Sequence, residues 1–396
     1  MISVLIVSVD CPYPANHGGR LDILERIQLL VKIGVKVDLV VTYKENIEEE
    51  SKSYLESLCR NVFYVKREGG NRSLISSLWA MKPYQITTRL GLSKLKLVDE
   101  YDYVICESEY VSEIINNKTL SAKIKMLRVH NDESSYYYGL FKDELSLSKK
   151  IYYFFESLMF RLNDEKIKKI FDKLLYISID EYNKSLPGYG GKSLWLAPHV
   201  PLSKLFNTAK FDNSFVQILF VGNLFMPNNI KGIVWYLNEV HELVLSYNSD
   251  IHLTIAGNAK NGISDELMSA LAKFPHEKVT LVKTPNDNEL NDLYDKHSIF
   301  INPMLNGAGV KLKNLDALRN SFYVVSTSVG AEGTGVVNGV DTIIADTPED
   351  FAKGITAFFQ DKKKAENIAY NGYCHLKEHF DAEKTLRKIF NGIIHE

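Results

Sequence analysis

The sequence predicts a two-domain α/β protein built on parallel sheets. Short apolar runs alternate with segments of helical apolar spacing along most of the chain, the pattern of strands joined by crossover helices. Several runs are apolar on consecutive residues rather than alternate ones, as for strands covered on both faces. At 396 residues the chain is long for one core, so two domains are the default.

The first series opens at residues 3–9, a continuous apolar run. A turn-rich stretch over 12–20 follows, then helical apolar spacing over 21–33 and, after Gly34, a strand over 35–42. This is one β-α-β unit, which prefers a right-handed crossover. Residues 103–106, 125–129 and 174–178 are further strands. Residues 186–192, rich in glycine around Pro187, and then 198–202 read as the hinge region. The second series begins at 217–222. Its strands are expected at 253–257, 279–282, 299–302, 323–326 and 342–345, with helices at 234–247, 265–274 and 289–296. Ligands of such sheets bind beyond the C-terminal strand ends, so two facing domains would share a site in the cleft between them.

Composition narrows the class. Hydrophobic content of 45% and charged content of 24% are ordinary for a globular protein. A net charge of -2 argues against a dedicated nucleic-acid binder. The four cysteines, Cys11, Cys59, Cys106 and Cys374, show neither metal-ligand spacing nor disulfide density. The opening residues 1–5 lead straight into a strand without a basic n-region, so no signal peptide is expected. No apolar run approaches the ~20 residues of a membrane span. A cytoplasmic enzyme is expected, with a peripheral position at the inner membrane face as an extension of that reading.

The stretch 302–333 carries the most chemistry. Asn306 precedes a Gly307-Ala308-Gly309 loop, which leads from a strand into a helix bearing Lys311, Lys313 and Asp316. Glycines before a helix admit a phosphate to backbone N–H groups, and the helix N-terminus adds partial positive charge. Lysine adds a full one. A carboxylate further along suits paired sugar hydroxyls, because an ionised carboxylate only accepts hydrogen bonds. A phosphate subsite beside a polyol subsite is what a nucleotide-sugar needs.

This stretch resembles the donor-binding signature of glycosyltransferase family four, retaining enzymes of the two-domain GT-B fold. It is closest to a bacterial polysaccharide-type subgroup, whose Gly-Ala-Gly-x-Lys-x-Lys-x-Leu-Glu-Ala, Val-Val-Ser-Thr and Gly-Ala-Glu-Gly runs read here GAGVKLKNLDA, VVST and GAEG. The family acid falls on Asp316, one methylene shorter than glutamate, and Glu332 joins the donor side. Asn306 stands where the wider family has a glutamate. The resemblance implies two facing Rossmann-like domains. Residues 1–200 would bind the acceptor, residues 206–381 would bind the donor, and the helix at 382–396 would return to the first domain. It also implies a nucleotide-diphosphate sugar as co-substrate, no resident cofactor and no metal.

Three other loops extend the likeness. Residues 12–20 contain Gly18, Gly19 and Arg20, matching a family loop where glycines admit donor diphosphate or acceptor. Arg20 can offer a planar fork to phosphate. The run Arg128-Val129-His130-Asn131-Asp132-Glu133 resembles the subgroup's Arg-x-His-Asn-x-Glu. In related enzymes a histidine there lies beside the reacting sugar, a role carried to His130; Arg128 and Glu133 are placed on the acceptor side or, alternatively, in an ion pair holding the loop. Gly222 and Asn223 open the second domain, with Asn223 where many relatives have arginine; phosphate charge would then rest on Lys311, Lys313 and backbone amides. Lys311 and Lys313 project about 200° apart on a helix. They reach one diphosphate together only if that helix starts late, so Lys311 is favoured and Lys313 is otherwise a surface lysine or a partner of Asp316.

Two features point elsewhere. His375-Leu376-Lys377-Glu378-His379 matches the H-x-x-E-H pattern of zinc peptidases, but it sits among charged residues and lacks a third ligand motif, so a solvated helix face is expected. The aromatic residues at 151–160, flanked by Lys149, Lys150, Arg161, Lys166, Lys168 and Lys169, suit either an interfacial helix or a core helix, and core packing is favoured. Residues 72–96, with Trp79, pose the same choice.

The expected function is therefore a retaining, metal-independent, hexosyltransferase-like glycosyltransferase. It would act on a glycan or polyprenyl-diphosphate-linked acceptor in bacterial surface polysaccharide synthesis. The competing expectations are a catalytically silent GT-B binding subunit, motivated by Asn306 and Asn223, and a GT-B sugar-nucleotide epimerase.

Overall fold

The structure, a computed structural model, describes residues 2–15, 18–202, 204–212, 216–259, 262–307 and 309–393. The chain divides into two compact units, Met1–His199 with Ala382–Glu396, and Val200–Asp381.

The first unit is built on β1 (Ser3–Ser8), β2 (Lys36–Tyr43), β3 (Asn61–Lys66), β4 (Glu100–Cys106), β5 (Ser121–Val129), β6 (Lys173–Tyr176) and β7 (Ser193–Trp195). All pair in parallel, in the order β3-β2-β1-β4-β5-β6-β7. The consecutive apolar run of β1 now has its reason. Val4 and Ile6 enter one core while Leu5 and Val7 enter another on the opposite face of the sheet. The helices that bear on the site or its flank are α1 (Gly18–Lys32), α2 (Asn71–Ala80), α3 (Glu133–Asp143), α4 (Leu147–Lys169) and α5 (Ile179–Tyr189). The strand order reverses between β1 and β4, and the loops leaving their C-terminal ends, with that of neighbouring β5, form the ligand-binding edge of such a sheet.

The second unit has β8 (Gln217–Val221), β9 (His252–Gly257), β10 (Val279–Lys283), β11 (Ile299–Asn302), β12 (Tyr323–Ser326) and β13 (Ile343–Ile344). These also pair in parallel, in the order β10-β9-β8-β11-β12-β13. Its reversal lies between β8 and β11. The helices used below are α6 (Pro227–Trp235), α7 (Leu312–Arg319), α8 (Ser328–Ala331) and α9 (Lys362–His379). The last helix, α10 (Ala382–Ile393), belongs to the first unit, where the Phe390 ring meets Tyr103 at 4.7 Å and Glu383 pairs with Lys32 at 2.7 Å.

Several local expectations change. Of the expected hinge region, 186–192 is not one, since 186–189 complete α5 despite Pro187, whereas the unit boundary, after His199, falls within 198–202. The helix read over 234–247 is a longer element, broken by a π-turn at Tyr236–Val240. β3 and β7 escaped notice because β3 is only half-buried and β7 is three residues long. The aromatic run at 151–160 is two-faced: Met159 and Phe160 are buried, whereas Ile151, Phe154 and Leu158 are exposed. No helix among the described residues is long and apolar enough to cross a membrane.

Candidate functional site

In the second unit the site is assembled from the loops after β8, β11 and β12. Close packing of backbone brings them together. A Cβ on Gly257 would fall 1.6 Å from the Gly222 carbonyl oxygen, and one on Gly232 would fall 2.5 Å from that of Pro303, so bare glycine backbone is required at both points. Gly307 and Gly309 have φ of 128° and 78°, the left-handed region glycine tolerates. Ala308 lies outside the described residues.

A buried polar lattice that the sequence reading missed fixes these loops. Asn302 donates to Asn314 Oδ1 and to the Gly330 carbonyl, both at 2.9 Å, and Asn314 donates to Gly330 at 2.8 Å. Thr327 caps α8 by accepting from the Gly330 N–H at 2.9 Å, and its hydroxyl donates to the Met304 carbonyl.

Onto this frame come the cations. Lys311 is the N-cap of α7, so the helix does start late. Its ammonium donates to the Gly309 carbonyl at 2.6 Å and pairs with Glu332 at 3.2 Å. Lys313 reaches Asn229 Oδ1 at 2.5 Å and lies 5.2 Å over the Phe220 ring. It is neither a surface lysine nor a partner of Asp316, whose ion pair is with Arg319 at 3.1 Å. Burial, and next the charge of Lys311, lower the Lys313 pKa to about 8. Two ammonium groups are thus held within each other's field, an arrangement that a polyanion relieves. Burial raises the Asp316 pKa above the usual carboxylate value, with Arg319 opposing it. Asn223 is exposed, and its carbonyl accepts from Asn229 at 3.0 Å; Asn306 is half-buried beside the glycine loop.

In the first unit, Gly18 and Gly19 lie in the first turn of α1 and are exposed. Arg20 is engaged by Asp10, with Nε at 3.0 Å. His17 and Asn16 of the same loop lie outside the described residues. Arg128 is fully buried and donates to Asp22 at 3.1 and 3.2 Å and to the Leu196 carbonyl. Glu133 is buried elsewhere and accepts from the Tyr110 hydroxyl, so the alternative of an Arg128–Glu133 ion pair is not what forms. His130 is 17% exposed, with Nε2 3.5 Å from Glu107 Oε2. Glu107, unforeseen from the sequence, is gripped by Arg26 at 2.7 and 3.0 Å, and Arg26 also pairs with Asp22.

Burial works against charge at Asp22 and Glu107, but the arginines more than offset it. Arg128 and Arg26 hold Asp22 far below the usual range, and Arg26 holds Glu107 below it. Asp22, Glu107 and His130 have the spacing of a metal cluster. Their carboxylates already accept from two guanidinium groups, and the balanced charge leaves little to attract a cation. The H-x-x-E-H stretch on α9 is not the fully solvated face expected: His375 is half-buried, with Nε2 2.9 Å from the Thr334 carbonyl oxygen.

A groove of about 740 Å³ is lined by Val129 and Asp132, either side of His130 in sequence, by Tyr138, Phe154, Leu158 and Arg161 on α3 and α4, and by Lys184 on α5. A second cavity, about 450 Å³, is lined by Asp10, Tyr13, Arg20 and Arg67. Two lysines at the glycine loop and helix start of the second unit, and a groove of mixed polar and apolar lining in the first, are the features the geometry provides.

Residues 216–361 match the family model described as Glycosyl transferases group 1. An uncharacterized 44.6 kDa protein in the cps region of Klebsiella pneumoniae is 52% identical over 390 residues, covering 98% of this chain and 99% of that protein. Sucrose-phosphate synthase from Thermosynechococcus elongatus superposes with a TM-score of 0.66 at 13% identity, over 100% of this chain and 99% of that one. Anabaena HepE in complex with UDP-glucose superposes at 0.64 with 12% identity over 100% of both chains. At such identities the likeness is one of fold, and with the two parallel sheets it makes this fold GT-B.

Proposed function

This chain belongs to the group 1 glycosyl transferases, in one family with the Klebsiella pneumoniae cps-region protein, and we propose that it is a retaining member of glycosyltransferase family four. The donor is a nucleotide-diphosphate sugar held by the second unit; the acceptor is a glycan or polyprenyl-diphosphate-linked hydroxyl held by the first. The observation that carries this reading is Lys311 at the N-cap of α7 with its ammonium on the Gly309 carbonyl, and Lys313 buried two residues on, at the strand-order reversal of the second sheet.

In this reading the diphosphate lies against the glycine loop and the two ammonium groups, which stabilise its departing charge electrostatically. Asp316, once ionised, accepts from ribose hydroxyls. His130 lies beside the reacting sugar, held by Glu107, while Arg128 and Asp22 fix the loop without touching substrate. The acceptor hydroxyl attacks the face the leaving group vacates, and no resident metal or cofactor takes part. The groove lined by Val129, Asp132, Phe154 and Leu158 takes the acceptor. That the Klebsiella relative is a cps-region protein supports a role in surface polysaccharide synthesis.

The test is a panel of nucleoside-diphosphate sugars read by diphosphate release with and without glycan and lipid-linked acceptors. The anomeric configuration of the product would then be read by proton NMR. Retention with acceptor-dependent release supports the proposal, and inversion or acceptor-independent release counts against it.

A further inference from the structure

The outward face of α4 is apolar where a surface helix is ordinarily polar. Leu147, Ile151, Phe154, Leu158 and Leu162 are 73, 62, 49, 40 and 48% exposed. Their spacings of three and four place them within about 80° of one another on the helix, as a ridge roughly 22 Å long. The opposite face packs normally, with Met159, Phe160, Asn163 and Ile167 buried. The ridge continues onto α3, where Phe141 meets Phe154 at 5.4 Å and Tyr138, 45% exposed, stacks on Phe141 at 5.8 Å. An exposed contiguous apolar surface of this kind marks a protein or membrane contact.

Its rim decides between them. Lys142 lies 4.7 Å over the Tyr138 ring and Lys150 lies 5.2 Å over Phe141. Lys150, Arg161 and Lys166 enter no ion pair among the described residues, whereas the acids Asp164 and Glu165 are already paired with Lys168 and Lys169. Apolar ridge, aromatic edge and unpaired cations, two of them with their ammonium groups over the rings, form the pattern of a helix lying in an anionic bilayer surface. A second copy seated ridge to ridge would set these cations against like charges. A further apolar helix is tied to α4: Asn163 donates to the Met81 carbonyl at 2.8 Å, at the end of α2, whose Trp79 is 88% exposed.

We propose that the α3–α4 hairpin is an interfacial docking ridge that lays the first unit on an anionic lipid bilayer. The ridge shares Tyr138, Phe154, Leu158 and Arg161 with the groove assigned above to the acceptor, so the test reads vesicle binding without donor or acceptor, and its outcome is separate from that of the transfer assay. The test uses the purified full chain and sedimentation with vesicles of phosphatidylcholine alone or with about one part phosphatidylglycerol in four. Wild type is expected to sediment with the anionic vesicles, less so at high salt, and weakly with neutral ones. Ile151→Ser with Leu158→Ser, and separately Lys150→Glu with Arg161→Glu, should each weaken vesicle binding about tenfold or more while leaving the thermal melt in place. Wild type remaining in the supernatant, or the serine variant binding as wild type does, would overturn the proposal. So would a wild-type dimer that the serine changes dissociate without any vesicle binding, which would assign the ridge to a second copy.

Discussion

His130 Nε2 lies 3.5 Å from Glu107 Oε2, and Arg26 grips both oxygens of that carboxylate at 2.7 and 3.0 Å. Glu107 and Arg26 are both almost fully buried. Removing the acid leaves a buried guanidinium short of charge, so Glu107→Ala should destabilise the first unit by roughly 3–5 kcal/mol in urea denaturation. His130→Ala should leave that stability nearly unchanged and lower turnover. Equal stability losses for the two variants would make His130 a structural residue.

Lys311 and Lys313 should both matter to diphosphate binding. A hydrogen bond to a charged group is worth about 1.5–3 kcal/mol, so Lys311→Ala should weaken nucleoside diphosphate binding roughly tenfold to a hundredfold by calorimetry. Affinity within twofold of wild type would remove Lys311 from the site.

Lys313 also predicts a proton. Its pKa is lowered to about 8 in the free protein, so near that pH about half the ammonium is deprotonated. A bound diphosphate favours the charged form and raises the pKa, so binding between about pH 7.5 and 9 should take up protons. Calorimetry in buffers of different ionisation enthalpy reads this uptake directly. It should vanish in Lys313→Ala, and buffer-independent heats in wild type would contradict the placement.

Asp316 should hold the ribose. Its carboxyl, paired with Arg319 at 3.1 Å, sits on α7 beyond the lysines. Wild type should prefer a ribonucleoside diphosphate over its 2′-deoxy analogue, and Asp316→Asn should lose that preference without unfolding. Equal discrimination in both proteins would exclude the role.

Glu133 predicts a pH dependence of stability. Burial, and next Glu109, raise its pKa to about 8, above the unfolded value of about 4.3. The folded state therefore holds a proton that the unfolded state releases. This contribution is fully present below about pH 4 and is lost as pH rises toward 8, with a slope of up to about 1.4 kcal/mol per pH unit. Glu133→Gln should flatten that slope between pH 6 and 8 in denaturation curves. An unchanged slope would place the titration on another group.

Local pattern made much of this legible. Strands at 299–302 and 323–326 fall where the apolar runs put them, because both faces of those strands are buried. The glycine loop and its lysines were legible for the same reason: they are neighbours in the chain around one helix start. What stayed hidden depends on distance along the chain. Arg26 and Glu107 are separated by 81 residues and Arg128 and Asp22 by 106, and nothing local marks either pair. Asn302 and Asn314 looked like ordinary polar residues until burial forced them to satisfy one another. The core reading of α4 holds for Met159 and Phe160, but spacing alone did not separate that face from the exposed one of Ile151, Phe154 and Leu158.

The central claim is sugar transfer from a nucleotide-diphosphate donor at the Lys311 site. The most direct measurement is nucleoside diphosphate release by the purified full chain, followed in parallel with labelled sugar appearing in an acceptor, for wild type and Lys311→Ala. The account predicts release matched one for one by acceptor labelling in wild type and at least about tenfold slower in the variant. Tight diphosphate binding with no transfer to any acceptor, or release of free epimerised sugar without one, would contradict it.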